Sequence, residues 1–486
     1  MRKSSWSWLI SVLVLVAASM EVLAFEPYRN YTYDYQGETW GEPQAYIPGG
    51  VIRGEDLGIG AFLSPSDIFV ASDRRIFIAD TGNNRIVILT SSFALERTID
   101  SFNNENIIET FNKPEGVFVT EEGTIYIADT ENRRIVILGS DYALDRIIPE
   151  PDFKVDMPLI YRPIRIVVDQ AGRMFIISRH FNMGMIELDA TGQFDSFFGA
   201  ITVSANLVNR LWRRIATQEQ RDRMVQSVPT EYSGNAVDPE GFVYGTIGTP
   251  NAPQPIRKLN PMGVDVLRRL SLNPPQGDLS ISYDDKGWPV RSSLTDICLG
   301  DYGVYSVLDA TRGRIFTYSE DGSLMYVFGS LGNRVGSFLQ PNAIDRTADG
   351  EYLVADGILQ QVVRFRPTSY ASLIHEAIRA QYRREYAEAE RQWMEVLRYT
   401  SKSEMAYIEI GKAYYRKGAY ASAMRYFRLG NDRIQYSKAF KKFRRESMGA
   451  VFDVGMSALV LVLVGVLYLV IRRRLDRRGG KTDGND

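Results

Sequence analysis

The chain has 486 residues but a single cysteine, Cys298, and two histidines, His180 and His375. One thiol forms no intrachain disulfide, so this fold is held by packing and hydrogen bonds alone. Two histidines cannot supply the three-histidine metal centres that some enzymes, certain lyases among them, build. Charge of either sign is also scarce in net terms: the formal sum is −2, from 57 Lys and Arg against 59 Asp and Glu. That near-balance hides a division. Residues 370–448 carry 17 Lys or Arg against 9 Asp or Glu, which leaves residues 25–369 acidic. An acidic body repels phosphate backbones, so no nucleic-acid partner is expected. The chain has no nucleophile elbow, no phosphate-binding glycine loop and no paired Cys and His. Its length is enough for two or three domains with a large core.

What is present is repetition. Ile78-Ala79-Asp80-Thr81-Gly82-Asn83-Asn84-Arg85-Ile86-Val87-Ile88-Leu89 returns as Ile127-Ala128-Asp129-Thr130-Glu131-Asn132-Arg133-Arg134-Ile135-Val136-Ile137-Leu138, an offset of 49. The same offset carries Pro65 to Pro114 and Pro114 to Pro163, and further copies centre on Gly241, Gly303 and Gly350. Each copy reads as an apolar strand, a polar turn and a second strand, a hairpin that cannot bury its hydrophobic face alone. Six such units, of roughly 40 to 50 residues each, predict a mainly β protein, a six-bladed β-propeller over residues 44–367.

Pro65, Asp80, Asn84, Arg85 and Ile86, and again Pro114, Asp129, Arg134 and Ile135, resemble the NHL-repeat signature. The resemblance implies a ring completed by an N-terminal strand. Ala45-Tyr46-Ile47 through Val51-Ile52-Arg53 is placed to be that strand, because the blade ending at Phe365 runs out after three.

The turn residues Asp80, Asp129, Asp309 and Asp356 are expected to accept backbone N–H groups, as Asp does at the start of tight turns. Arg85, Arg134 and Arg314 are expected to pair with those carboxylates or with a neighbouring blade. His180, after a strand, reads as structural. Aligning the copies puts Asp67, Glu115, Arg165, Glu231, Thr295, Asp296 and Asn342 at or near the starts of the innermost strands, around the central channel. That ring of carboxylates, hydroxyls and one guanidinium could hold Ca²⁺, a sugar or a peptide. Sugar-lactone hydrolases of related shape bind a divalent cation here through Glu, Asn and Asp, and the likeness implies a metal-dependent lactonase or hydrolase as the alternative function. Gly116, Gly234 and Ala343 interrupt the set, and no other cofactor is expected. Residues 206–228 carry Leu207, Leu211, Trp212 and Ile215 at helical spacing and read as a helical insertion.

After Pro367 the apolar period changes from two to about 3.6. Tyr386, Ala389 and Trp393 align with Tyr420, Ala423 and Phe427 at an offset of 34. Together with Gly411, Tyr414 and Gly418, this spacing resembles tetratricopeptide repeats over residues 368–447, which implies a surface that docks proteins. Tyr386, Trp393, Tyr407, Tyr414 and Tyr420 are the candidate contact residues.

The two ends complete the reading. Arg2 and Lys3, the apolar run Trp8 to Ala18 and Val22-Leu23-Ala24 predict a signal peptide over 1–24, followed by an extended arm over 25–43 that contains the sequon Asn30-Tyr31-Thr32. Val454 to Ile471 is uncharged, which predicts a transmembrane helix over 448–471 and a basic cytoplasmic tail over 472–486. The layout resembles bacterial NHL-repeat membrane proteins of gluconolactonase-like label. It implies a single-pass protein of the plasma membrane, with propeller and repeats extracytoplasmic. The expected role is binding and scaffolding beside a protein partner in the membrane, such as subunits of a carbohydrate uptake system.

Overall fold

The computed structural model describes residues 28–479 apart from 154–158, 201–230, 250–251, 253, 272, 280–281 and 284–288. The expected signal peptide, the helical insertion 206–228 and the last residues of the tail lie outside the described residues.

The repeated apolar runs form strands because they are rich in β-branched residues and bounded by tight turns. Ile76–Asp80 is buried at every position, and Arg85–Leu89 at every position after the first. Asn84 turns the chain between them in the left-handed region, at φ 54°. Blade one is Asp67–Val70, Ile76–Asp80, Arg85–Leu89 and Leu95–Ile99. Blade two begins at Pro114–Val119, blade three at Pro163–Val168, blade four at Tyr232–Val237, blade five at Leu294–Leu299 and blade six at Pro341–Arg346. Consecutive blades meet through these inner strands, and the sixth meets the first, so the ring closes. Blade four has three strands among the described residues.

Blade six takes its fourth strand from the N-terminal side: Tyr46–Arg53 pairs antiparallel with Gln361–Pro367, from Tyr46 opposite Pro367 to Arg53 opposite Gln361. Tyr46 is fully buried and stacks on Phe328 of blade five at 4.7 Å between ring centres. The closing strand is therefore pinned by aromatic packing as well as by its ladder. Upstream of it, where the sequence suggested only an extended arm, Tyr31–Tyr33 pairs with Thr39–Gly41. Tyr31 and Tyr33 both donate to Asp278. Asn30 is 5% exposed, so the sequon asparagine is sheltered from a glycosylating enzyme.

The chain from Leu373 onward is a second compact unit. Its helices are α1 (Ser369–Tyr382), α2 (Tyr386–Tyr399), α3 (Glu404–Arg416), α4 (Tyr420–Leu429) and α5 (Arg433–Gly479), α1 beginning just before the division. Ser403 caps α3 by accepting the Ala406 N–H. A Cβ on Gly411 of α3 would lie 2.7 Å from the Phe427 ring of α4, so the glycine is what lets these helices approach. One helix among the described residues, within Arg433–Leu475, is long and apolar enough to cross a membrane.

Candidate functional site

The inner strands share one register against the second strand of each blade. Asp67 faces Ala79, Gly116 faces Ala128, Arg165 faces Ile177, Gly234 faces Thr246, Asp296 faces Leu308 and Ala343 faces Ala355. These six positions form one layer of the channel. Charged residues come from blades one, three and five, and the smallest residues from two, four and six. Space explains the alternation: a Cβ on Gly234 would lie 2.6 Å from the Asp296 Cα, and one on Gly116 2.7 Å from the Ile164 carbonyl.

In the room so made, Arg165 Nη1 meets Asp67 Oδ1 at 2.9 Å, and its Nε lies 3.9 Å from Asp296 Oδ1. The guanidinium also donates to the carbonyls of Asn342 at 3.0 Å and Glu115 at 3.3 Å. Arg165, Asp67 and Asp296 are 8%, 7% and 4% exposed, so the trio closes the channel as a buried plug. Burial opposes the charge on Arg165, and Asp67, Asp296 and Glu115 more than offset that, holding its pKa above the usual value. Burial raises Asp67 and Asp296 in spite of Arg165.

The free carboxylate oxygens reach to the next blade. Asp67 Oδ2 accepts the Val117 N–H and Asp296 Oδ2 the Ile344 N–H, both at 2.9 Å. Asp345 continues the pattern by accepting the Val70 N–H at 2.6 Å.

Of the expected channel set, then, Asp67, Arg165 and Asp296 come together. Asn342 and Glu115 contribute backbone carbonyls; the Asn342 amide donates to the Pro65 carbonyl at 2.9 Å, and the Glu115 carboxylate pairs with Arg179. Thr295 donates to Leu308 within its own blade, and Glu231 lies ahead of the blade-four strand, outside the plug. The fit of a divalent cation is poor. Arg165 occupies the space between the two carboxylates that would ligate it, Glu115 is held by Arg179, and Glu231 lies outside the plug.

Two residues along each inner strand lies a second layer on the same face: Phe69, Phe118, Val167, Ala236, Cys298 and Asp345. It lines a cavity of about 800 Å³ that has the plug at one end and Ser72, Glu121, Glu122, Gln170 and Pro239 toward the other. The sequence reading missed Asp345 and Cys298. Stepping by two from Ala343 and Asp296 would have found them.

The turn aspartates act within the framework, as expected. Asp80 accepts the Leu63 N–H and the Arg85 side chain, both at 2.7 Å, and Asp129 does the same with Asn112 and Arg134. Arg314 differs: it lies over the Tyr31 ring at 4.8 Å, drawn away by the N-terminal hairpin. His180 is exposed in a turn at φ 59° rather than packed in the framework.

In the helical unit Trp393 is 1% exposed, so this candidate contact residue belongs to the core. Tyr414 stacks on Tyr426 at 5.3 Å, Tyr420 meets Tyr415 edge-on, Arg416 covers Tyr386, and Tyr407 donates to the Ser401 carbonyl. These four tyrosines remain partly exposed.

Residues 111–138, which include the first two strands of blade two and the third to its end at Leu138, match the NHL repeat. The match covers three of the four strands of blade two. Blade one carries the same NHL pattern letter for letter at its Asp, Thr and Arg positions. No curated protein matches the chain. Among solved structures, a streptogramin B lyase is 13% identical, with 67% of this chain and 100% of that one covered and a TM-score of 0.41. The virginiamycin B lyase of Staphylococcus aureus is 11% identical, with coverages of 63% and 95% and a TM-score of 0.39. A protein of unknown function from Bacteroides thetaiotaomicron is 10% identical, with coverages of 69% and 75% and a TM-score of 0.41. Likeness at this level carries no argument about chemistry.

Proposed function

We propose that this chain is a membrane-anchored, extracytoplasmic binding and scaffold protein. Its propeller holds a ligand or partner in the channel, and its tetratricopeptide-like helices dock another membrane component, expected to be a carbohydrate uptake system. The observation that carries most of this reading is the continuity of α5. Its first turns are basic, with Lys438, Lys441, Lys442, Arg444 and Arg445, and the apolar run that follows is exposed throughout, Leu461 at 72% and Val462 at 62%. Among the described residues no protein surface covers that run, and a bilayer is the solvent it suits. The Arg472-Arg473-Arg474 cluster beyond it supports a cytoplasmic tail.

The test is co-purification of tagged full-length protein from its native membranes, beside a variant whose residues 370–437 are replaced by a neutral helical linker. Transporter subunits retained by the first and lost from the second are the expected result. Protein that washes from membranes in alkaline carbonate overturns the anchor, and equal partner recovery overturns the docking role. The alternative, a metal-dependent lactonase, would require Asp67 and Asp296 to be released from Arg165.

A further inference from the structure

The second channel layer is chemically uneven. Phe69 and Phe118 lie side by side, 5.0 Å between ring centres, and Asp345 stands next to Phe69 around the ring. Val167, Ala236 and Cys298 complete the layer without charge. Asp345 accepts backbone N–H groups of Val70 and Arg346 at 2.6 and 2.7 Å, and no cation pairs with it among the described residues. It keeps accessible surface although the ring encloses it, because that surface faces the cavity. Below it, the plug sets two carboxylates, Asp67 and Asp296, against the single guanidinium of Arg165. The cavity lining therefore holds more carboxyl groups than cationic ones, Arg165 and Arg346 being its cations, beside aromatic faces.

We infer that this cavity binds a small organic cation, an ammonium group on an apolar body, with the ammonium against Asp345 and the body along Phe69 and Phe118. The inference rests on the reading of the propeller as a ligand-binding domain and names the ligand class for it. A carboxylate gives the ammonium its counter-charge, and the negative faces of aromatic rings attract cations in desolvated sites. About 800 Å³ is the size range of small-molecule pockets. An anionic ligand would face Asp345, Asp67 and Asp296 together and is disfavoured.

Proton linkage supports this geometry. Burial, with Asp296 and Asp67 adding repulsion, pushes the Asp345 carboxyl up to about 7. The charged groups around it are Asp67, Arg165, Asp296 and Arg346, with the Cys298 thiol also pushed up by burial. An incoming ammonium favours the ionised carboxylate, so binding near neutral pH releases a proton.

The experiment is calorimetry on full-length protein in detergent with phenethylamine, phenethyl alcohol and phenylacetate as probes, and calcium alone as a fourth. Phenethylamine should bind, the other three should bind at least tenfold more weakly, and buffers of different ionisation enthalpy should register proton release. Asp345→Asn keeps an acceptor for Val70 and should weaken phenethylamine roughly thirtyfold or more, the usual loss when one partner of a buried ion pair is removed. Cys298 gives a second readout that needs no variant. As the sole cysteine on the cavity wall, it should react faster with a cationic than with an anionic methanethiosulfonate. Equal binding of amine and alcohol, calcium binding without amine binding, or a faster anionic reagent overturns the assignment. None of these outcomes bears on membrane anchoring or partner recovery, so the two readings fail separately.

Discussion

Thr81 of blade one donates its hydroxyl to the Pro114 carbonyl of blade two at 2.7 Å, and Thr130 of blade two repeats the bond to Pro163 of blade three at 2.6 Å. The 49-residue sequence period is thus also a mechanical one: in blades one and two, the turn that follows the second strand latches onto the strand that opens the next blade. Thr130 is fully buried. Thr130→Val keeps the shape and strands the Pro163 carbonyl, and we expect it to cost about 1–3 kcal/mol in chemical denaturation.

Asp345 should make stability depend on pH in the sense opposite to a salt-bridged carboxylate. Burial lifts it from 3.8 to about 7, so the folded protein binds this proton more tightly than the unfolded chain. Stability should then fall as pH rises between about 4 and about 7 and level off above. Asp345→Asn should flatten that slope and raise the melting temperature at pH 8 relative to the parent. A parent whose melting temperature rises steadily from pH 5 to 8, with the variant parallel to it, would contradict this.

Glu42 offers the same test at a different place. Burial lifts its carboxyl to about 8, with a hydrogen bond from Tyr370 opposing the shift, and its Oε2 has no hydrogen-bond partner. Glu42→Gln should stabilise the protein at pH 8 to 9, on the order of 2 kcal/mol, because the buried charge is gone. The gain should shrink toward pH 5, where the parent is already protonated in its folded state.

In the helical unit, Gly411→Leu forces atoms into the Phe427 ring. Overpacking of this kind costs about 1–3 kcal/mol. Co-purification of a partner that depends on the helices should fall with it, whereas Asp345→Asn should leave that recovery unchanged.

Leu463→Arg, placed in the exposed apolar run of α5, should reduce membrane retention after carbonate extraction. A charge at the centre of a span costs roughly 2.5–3.5 kcal/mol in insertion.

Much of the architecture was legible because it is periodic. The 49-residue offset locates blades one and two, the Gly-centred copies locate the rest, and the missing strand after Phe365 points to Tyr46–Arg53. The channel plug was half legible. Alignment brings Asp67, Arg165 and Asp296 to one level, but only the register of the sheets shows that Arg165 reaches between the other two. Thr295 and Glu231 share the neighbourhood in sequence and not in space: Thr295 is next to Asp296 on a strand whose alternate residues face opposite ways, and Glu231 precedes the blade-four strand. Trp393 looked like a docking residue for the same reason that makes it core: large aromatic side chains at helical spacing serve either purpose, and burial decides.

The pairing of Tyr46–Arg53 with Gln361–Pro367 gives the ring a seam. The strand synthesised first among the blades must wait unpaired until nearly the whole propeller has been made, and its partner is the last piece to arrive. Late closure of so long a loop slows folding. It also makes completeness a condition of stability, since a chain cut short before Gln361 loses the ladder to Tyr46–Arg53 and keeps only the inner-strand contacts of blade six with blade one to hold the circle.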